Sequence, residues 1–210
     1  YKSNSCGINF LELCNDSEIA DGMHVAASRL MAEGKGYAAE GDWVTAAFTY
    51  AMQQAFGLAS FSEIFSVGYK NNRLLLKHWG EGNPCMARQD PRLLKSKLAD
   101  KIDAEFAIVD FDFKTGPAML VNLNCDRNGK SQLISISGNI LSDKLDNITG
   151  PRAVFNPNAQ KVQQVLDAYA YNGGSHHLVL VMENIEKQLE KLSKLSGWNY
   201  NNIDKLASFL

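Results

Sequence analysis

Histidine is the scarcest side chain in this sequence that could do chemistry near neutral pH. The four histidines are His24, His78, His176 and His177. His24 falls within a helical pattern, where a lone histidine is usually packed or solvated. His78 ends a predicted strand and runs into a loop rich in glycine and proline, where functional sites tend to lie. His176 and His177 are adjacent and point in divergent directions, so we expect at most one to ligate a given metal while the other can face a substrate.

Two carboxylates are candidates to join these imidazoles. Taken alone, Glu40 is explained as a helix-start carboxylate that the helix dipole favours. Glu63 lies in an apolar strand pattern and, taken alone, is explained as an alternating surface position. Two carboxylates and two imidazoles together would make a mixed oxygen and nitrogen site suited to Mn²⁺, Co²⁺ or Mg²⁺ rather than a thiolate zinc site. The four residues are far apart in sequence, so no spacing rule predicts that they converge.

The bulk composition is that of an ordinary globular protein. The 210 residues are 45% hydrophobic and 21% charged, which suffices for one sizeable domain or a domain with a piece of another. The net charge of -2 argues against nucleic acid or an anionic membrane as the main partner, since both need a basic face. No apolar run approaches the ~18 to 20 residues that cross a bilayer, and no signal peptide is evident.

The cysteines and the first residue bear on the cellular setting. Cys6, Cys14, Cys85 and Cys125 are irregularly spaced and include no Cys-x-x-Cys pair. This favours a reducing cytoplasm over a disulfide framework or a structural zinc site. The sequence begins at Tyr1 without Met, and we therefore expect a fragment or a processed product.

Two helices are predicted ahead of the strands. Apolar residues at helical spacing predict a helix over residues 19–33 and a second over residues 42–56, with Asp42 as its N-cap and Gly57 as its stop. Residues 34–41 between them contain three glycines, which indicates a sharply bent backbone.

Short strands follow, and their turns favour a small barrel or sandwich. Gly116-Pro117 predicts a turn, and residues 126–129, Asp-Arg-Asn-Gly, predict a hairpin. The predicted strands cover residues 61–69, 73–78, 106–113, 118–124 and 132–137.

The last part of the chain is predicted to be mainly helical. Pro157 is expected to open a helix that runs to about residue 167. Gly173-Gly174-Ser175 indicates a bent loop that leads into His176, His177 and a helix rich in Glu and Lys. The best domain boundary falls near Leu58.

Several segments resemble the L-arabinose isomerase family. The most specific are RLMAEGKGYAAEGDWVTAA at residues 29–47 and GGSHH at residues 173–177. Further matches are SFSE at residues 60–63, His78 with Pro84 six residues on, and TGPA at residues 115–118. These matches occur in the family's order across nearly the whole chain.

The resemblance implies an α+β fold. Residues 59–210 would form an antiparallel β-barrel with flanking helices, like the C-terminal domain of arabinose and fucose isomerases. Residues 1–58 would be the helical end of a Rossmann-like central α/β domain. Full-length members are usually trimers or hexamers whose N-terminal residues, some from a neighbouring subunit, complete the sugar pocket. The resemblance therefore implies a monosaccharide substrate, and as partners the missing N-terminal domains and other copies of the enzyme.

The resemblance also implies a site and an activity. It places the metal ligands on Glu40, Glu63, His78 and His177, with Mn²⁺ (or Co²⁺ or Mg²⁺) as the ion. Glu40 and Glu63 match the acid/base pair of an aldose–ketose isomerase, with the order of the two roles left open, and His176 matches a residue that could touch the sugar. We expect the 210-residue chain alone to bind metal weakly and to turn over little sugar.

Departures from the family pattern keep other functions open. The segment between Glu40 and Glu63 is shorter than usual, the loop after His78 is less apolar, and residues 95–103 replace a glycine-rich run. These changes lie near the expected sugar pocket and indicate a separate branch of the family. The alternatives are a non-catalytic carbohydrate-binding or regulatory module, and another metal-dependent sugar epimerase or lyase.

Overall fold

Strands dominate this protein, and the helices pack against the sheet that they form. The computed structural model describes residues 3–10, 19, 21–97, 105–145, 147–159 and 161–207. Its strands are β1 (Ser5–Ile8), β2 (Gly36–Ala39), β3 (Ala59–Gly68), β4 (Arg73–Lys77), β5 (Arg92–Lys97), β6 (Glu105–Asp110), β7 (Gly116–Cys125), β8 (Ser131–Ile140), β9 (Arg152–Pro157), β10 (His177–Val181) and β11 (Asn199–Asn202). Its α-helices are α1 (Met23–Ala32), α2 (Trp43–Phe56), α3 (Val162–Tyr171), α4 (Glu186–Ser196) and α5 (Ile203–Ala207).

Six antiparallel strands close into a barrel. Their order is β8-β7-β10-β3-β4-β9, and the pairing of β9 with β8 completes the ring. β11 adds to β8 in parallel. Alternate side chains point into the barrel, among them Leu74, Leu120, Phe155 and Leu178, all at most 1% exposed. The predicted antiparallel barrel with flanking helices is confirmed.

The other face of the barrel strands is covered by helices. Val179 and Val181 of β10 point outward, opposite to Leu178, and join a second apolar cluster. This cluster includes Phe48 of α2 and Leu189 of α4. A residue on the outer face of β3 or β10 therefore lies against the helical layer and not in the barrel core.

The residues before β3 form a small unit against this outer face. β1 and β2 pair in parallel, and every residue of β2 is buried. α2 packs directly on β2, since a Cβ on Gly36 would lie 2.1 Å from the backbone oxygen of Ala46. Asp42 accepts a hydrogen bond from the backbone N–H of Thr45, and Gly57 ends the helix with φ of 80°, so both predicted ends of α2 are confirmed.

Three local predictions are wrong. Pro157 ends strand β9 instead of opening a helix, and the next helix starts only at Val162. Gly116-Pro117 begins β7 and is not a turn. Residues 177–181 form β10, a strand that the sequence analysis passed over on the way to α4. In each case, pairing with distant strands overrides the local signal.

Some sequence-based expectations fall outside the described residues. Cys14 and residue 20 of the first predicted helix lie there, and the described part of that helix begins at Met23. Cys6, Cys85 and Cys125 are free thiols. No helix among the described ranges is long and apolar enough to span a membrane.

Candidate metal centre

The register of two barrel strands places Glu63 beside His177. β3 and β10 are antiparallel, and Glu63 is directly opposite His177. Such cross-strand partners project from the same face of the sheet. Two pairs further on, and so on the same face, Phe61 is opposite Val179, which lies on the outer face. The acidic and imidazole side chains therefore point out of the barrel toward α2 and β2.

His78 reaches the same place from the next strand of the barrel. It directly follows β4, which pairs with β3. Its Nε2 atom lies 3.8 Å from a carboxylate oxygen of Glu63. The Phe61 ring packs against both imidazoles, with its centroid 5.2 Å from that of His78 and 5.0 Å from that of His177, while the two imidazole centroids are 6.0 Å apart. Phe61 therefore supports both histidines from one side.

Glu40 comes from the other unit, at the carboxyl end of β2. Its backbone is left-handed, with φ of 56°, and Gly41 follows with φ of 75°. This conformation is uncommon for a residue with a side chain and typically costs on the order of 1 kcal/mol or more. It turns the Glu40 carboxylate toward the barrel, 3.7 Å from Nε2 of His177 and 3.5 Å from Nε2 of His176.

Together these side chains form a compact set of oxygen and nitrogen donors. One donor atom from each of Glu40, His78 and His177 lies within 4.8 Å of the others, and the same holds for Glu63, His176 and His177. Metal–ligand bonds to such donors are about 2.1 Å long, so ligand atoms on opposite sides of one ion are ~4 Å apart. The spacing therefore fits a single divalent cation after small adjustments.

The Nε2 atom of His177 gives an independent sign that this is a site. It is buried and makes no hydrogen bond to the described residues. The Nδ1 atom of the same ring lies 3.1 Å from a carboxylate oxygen of Asp42, which can only accept a hydrogen bond. Nδ1 therefore carries the hydrogen, and a neutral His177 presents the Nε2 lone pair to the other donors. A carboxylate behind a ligating histidine is the common arrangement at metal sites.

Asp42 both caps helix α2 and accepts a hydrogen bond from His177. It caps α2 by accepting hydrogen bonds from the backbone N–H and the side-chain hydroxyl of Thr45, at 2.8 and 2.7 Å. Burial alone would raise the pKa of Asp42, but the hydrogen bonds from Thr45 and His177 outweigh burial and lower it. Burial lowers the pKa of His177, which favours the neutral form that a metal requires.

His78 has a carboxylate of its own behind it. Its Nδ1 atom donates to Glu81 over 2.5 Å, and Glu81 also accepts hydrogen bonds from His24, Tyr37 and the backbone N–H of Gly80. The Glu81 side chain is fully buried. Burial would raise its pKa, but the charge of His78 and the hydrogen bonds from both histidines hold the pKa well below its usual range. Burial would lower the pKa of His78, but the Glu81 and Glu63 carboxylates outweigh burial and raise it.

The remaining acid, Glu63, is mostly buried, whereas the remaining histidine, His176, lies at the open side of the cluster. Burial raises the pKa of Glu63, although neighbouring His78 and His176 oppose the shift. The side chain of His176 is 60% exposed. The loop that presents it is anchored from below, because Tyr169 donates a hydrogen bond to the Ser175 carbonyl and a Cβ on Gly174 would lie 2.4 Å from the Tyr169 ring.

The residues behind the candidate ligands were not predicted to support them. Asp42 was predicted only as a helix cap, His24 only as a structural residue, and Glu81 and Tyr37 were not singled out. A carboxylate three residues after His78, between two glycines, was the one available signal for Glu81. Nothing in the sequence links His24 to Glu81, since the two are 57 residues apart.

Comparison with known proteins relates most of the chain to one group of enzymes. The family model of the L-arabinose isomerase C-terminal domain matches residues 58–199, and that of the L-arabinose isomerase central domain matches residues 8–56. An L-arabinose isomerase from Herpetosiphon aurantiacus is 30% identical over 84% of this chain, and L-arabinose isomerase 1 from Bacillus licheniformis is 29% identical over 82%. The L-arabinose isomerase of Bacillus subtilis is 27% identical over 82%.

These relatives are longer proteins, and the aligned part of this chain covers 36% of each of the three. The two family models nevertheless match consecutive segments that together take up most of the 210 residues. The observed barrel and the order of the motifs agree with those matches. The chain therefore belongs to the L-arabinose isomerase family.

Proposed function

We propose that this chain carries the metal-binding and acid/base residues of an aldose–ketose sugar isomerase. The observation that carries the proposal is the convergence of Glu40, Glu63, His78 and His177, with the buried Nε2 atom of His177 left without a hydrogen bond. Relatives that are named L-arabinose isomerases support the reaction class.

The proposed ligands of the ion are the two carboxylates and the Nε2 atoms of His78 and His177. A set of two carboxylate oxygens and two imidazole nitrogens with no thiolate suits Mn²⁺, and also Co²⁺ or Mg²⁺. When bound, such an ion supplies electrostatic stabilisation of the negative charge that develops on the sugar oxygens. The neutral state of His177, favoured by burial, is consistent with this role.

The two carboxylates are proposed to move the proton. Isomerisation transfers a proton from C2 to C1 of the open-chain aldose and a hydroxyl proton from O2 to O1, and an enediol is the intermediate. One carboxylate takes the carbon proton while the other exchanges a proton with the oxygens. Ligation to a cation should keep both carboxylates ionised near neutral pH, so the order of the two roles stays open. Glu40, whose side chain is 52% exposed, lies on the side from which a sugar would enter.

His176 is proposed to contact the sugar. Its exposed ring is tilted against that of His177, with centroids 4.1 Å apart, and its Nε2 atom lies near Glu40. It is therefore placed to donate a hydrogen bond to a hydroxyl group of a sugar held at the cluster.

The rest of the pocket is proposed to come from outside this chain. Because the chain covers about a third of its relatives, we propose that it acts as part of a longer, oligomeric enzyme whose N-terminal domains close over the metal centre. We also propose a domain boundary near Leu58. The end of one family match at residue 56 and the start of the other at residue 58 support it.

Metal binding to the chain itself tests the first half of the proposal. Mn²⁺ binding, measured by the loss of the free-ion electron paramagnetic resonance signal, should be present in the wild type and lost in Glu63→Gln and His177→Ala. Glu33→Gln is the matched control, because that carboxylate pairs with Arg29 on the exposed surface. Equal binding by all four proteins would show that the cluster is not a metal centre.

Isotope incorporation tests the second half. The longer protein that contains this chain should convert an aldopentose or aldohexose to its ketose with Mn²⁺ present and should incorporate deuterium at C1 of the ketose from D₂O. A product without deuterium would point to a hydride shift between the two carbons. Sugar binding without conversion, retained in Glu63→Gln, would instead favour a non-catalytic carbohydrate-binding module.

A further inference from the structure

His24 is a buried histidine outside the proposed ligand set. It is the second residue of α1, and its side chain is 3% exposed. The Phe10 ring packs against it with a centroid separation of 4.5 Å, and the Phe106 ring lies edge-on at 6.4 Å. From this apolar surrounding its Nδ1 atom reaches a carboxylate oxygen of Glu81 over 2.7 Å.

The two carboxylate oxygens of Glu81 accept hydrogen bonds from different donors. Oε1 accepts hydrogen bonds from Nδ1 of His78 and the hydroxyl group of Tyr37, at 2.5 and 3.2 Å. Oε2 accepts from Nδ1 of His24 and the backbone N–H of Gly80, at 2.7 and 2.9 Å. The donors on Oε2 therefore set the rotation of the carboxylate, and the position of Oε1 follows from it.

Glu81 is flanked by Gly80 and Gly82, so its immediate neighbours in the loop have no side chains that could hold the carboxylate. The loop backbone packs closely instead, because a Cβ on Gly80 would lie 2.2 Å from Ile108 and one on Gly82 would lie 2.7 Å from Pro151. Apart from the backbone N–H of Gly80 and Nδ1 of His78, the groups that orient the carboxylate therefore come from elsewhere in the fold. His24 is the donor that enters from α1, and its contact with Glu81 ties that helix to the metal centre.

We propose that His24 is a positioning residue of the metal centre: by holding Oε2 of Glu81 it fixes Oε1 against Nδ1 of His78, and so aims Nε2 of His78 at the ion. This inference rests on the proposed function, because it needs His78 to be a ligand. A carboxylate behind a ligating histidine typically contributes 10- to 100-fold in metal affinity. His24 acts one contact further out, so we expect its contribution to be about tenfold, at the lower end of that range.

Three substitutions of His24 test the role through Mn²⁺ affinity. His24→Asn keeps an N–H donor close to the position of Nδ1, His24→Gln carries its donor further out, and His24→Leu has none. We expect the Leu variant to bind Mn²⁺ about tenfold more weakly, with Gln close to Leu and Asn close to the wild type. Affinity is measured by electron paramagnetic resonance at a temperature where circular dichroism shows every variant folded.

Met23→Ala is the control for a merely structural effect. Met23 is the preceding residue of the same helix and is buried, so its truncation should lower the melting temperature without changing Mn²⁺ affinity. An equal loss of affinity in Met23→Ala and His24→Leu would overturn the inference, as would wild-type affinity in His24→Leu. Should His24→Leu fail to fold, equal affinities of the Asn and Gln variants would overturn it instead.

The same measurements separate this inference from the proposed function. Absence of Mn²⁺ binding by the wild-type chain would refute the metal centre, and the inference with it. Mn²⁺ binding that depends on His177 but not on His24 would refute the inference alone.

Discussion

The two histidines of the candidate metal centre are held by the same kind of hydrogen bond in two different environments. Each donates its Nδ1 hydrogen to a carboxylate, His78 to Glu81 and His177 to Asp42. Glu81 is fully buried and accepts from four donors, whereas the Asp42 side chain is 27% exposed and also caps a helix. The His78 side of the site is thus part of the protein core, whereas the His177 side lies closer to the protein surface.

This difference assigns different roles to the two sides. The His78 side is enclosed by packed residues and can fix the position of an ion. The His177 side contains the two more exposed groups of the cluster, the Glu40 and His176 side chains, and can admit a sugar. A rigid half and an open half in one site would suit the proposed function, in which a metal is kept while a substrate is exchanged.

Removal of the two supporting carboxylates should produce the largest contrast. Glu81→Ala should lower the free energy of unfolding by ~3 to 5 kcal/mol, because it leaves two buried histidines and Tyr37 without their acceptor. Asp42→Ala should cost only about 1 kcal/mol, as expected for the loss of a helix cap. Urea denaturation of the metal-free proteins measures both, and equal losses would mean that the two sides are not energetically distinct.

Replacing the Asp42 carboxylate with a neutral amide separates the effect on metal affinity from the effect on stability. Asp42→Asn keeps an oxygen that can accept from the N–H of Thr45 but removes the charge behind His177. We expect Mn²⁺ affinity to fall by about tenfold with little change in melting temperature. Thr45→Val, which replaces the hydroxyl group that donates to Asp42 by a methyl group, is the matched control and should keep wild-type affinity. Unchanged Mn²⁺ affinity in Asp42→Asn would show that Asp42 only caps the helix.

The pKa values of the two histidines should be shifted in opposite directions in the metal-free chain. The folded pKa of His78 is raised, so its stabilising contribution is complete below the unfolded value of about 6.5 and is lost as pH rises through the higher folded pKa. The folded pKa of His177 is lowered, so its contribution is complete above about 6.5 and is lost as pH falls through the lower folded pKa.

Nuclear magnetic resonance of the imidazole rings, assigned with His78→Ala and His177→Ala, measures this order directly. Because a metal binds neutral imidazole, Mn²⁺ binding just above pH 6.5 should release its proton mainly from His78, and affinity should fall in acid. Calorimetry in buffers of different ionisation enthalpy counts the released protons. A His177 that titrates above His78 would reverse the assignment of the two sides.

The smallest effect is expected for the exposed histidine. His176→Ala should change Mn²⁺ affinity by a free energy of about 0.5 kcal/mol or less, because the side chain is mostly solvent-exposed and adjoins the ligands without supporting them. In the longer protein the same change should raise KM for the sugar. A large loss of metal affinity would make His176 a ligand and not a substrate contact.

Much of the fold could be predicted from local sequence patterns. Both ends of α2 were predicted correctly, because Asp42 and Gly57 act through contacts within one turn of the helix. Pro157 and β10 were not, because their strand structure depends on partners far away in the sequence. For the same reason, periodicity favoured strands at residues 61–69 but gave no register between them and any partner.

For the candidate site, the sequence supplied side chains and the family resemblance supplied their grouping, but the supporting contacts could not be predicted. The partner of Glu81 on α1 lies 57 residues upstream, and the partner of His177 lies 135 residues upstream. Neither contact leaves a periodic or spaced signal, since each is created by the packing of the N-terminal unit on the outer face of the barrel.

The sequence by itself determined both ends of α2, several strand-forming segments, the family resemblance and the residues able to bind a metal, because these follow from short-range chemistry and from motifs. Only the tertiary structure decided which of those residues meet and which is buried and which exposed. It placed Glu63 opposite His177, turned Glu40 in from another unit and enclosed Glu81 behind His78. The physical reason is that hydrogen bonds and burial depend on distance in space, and the closure of the barrel sets that distance.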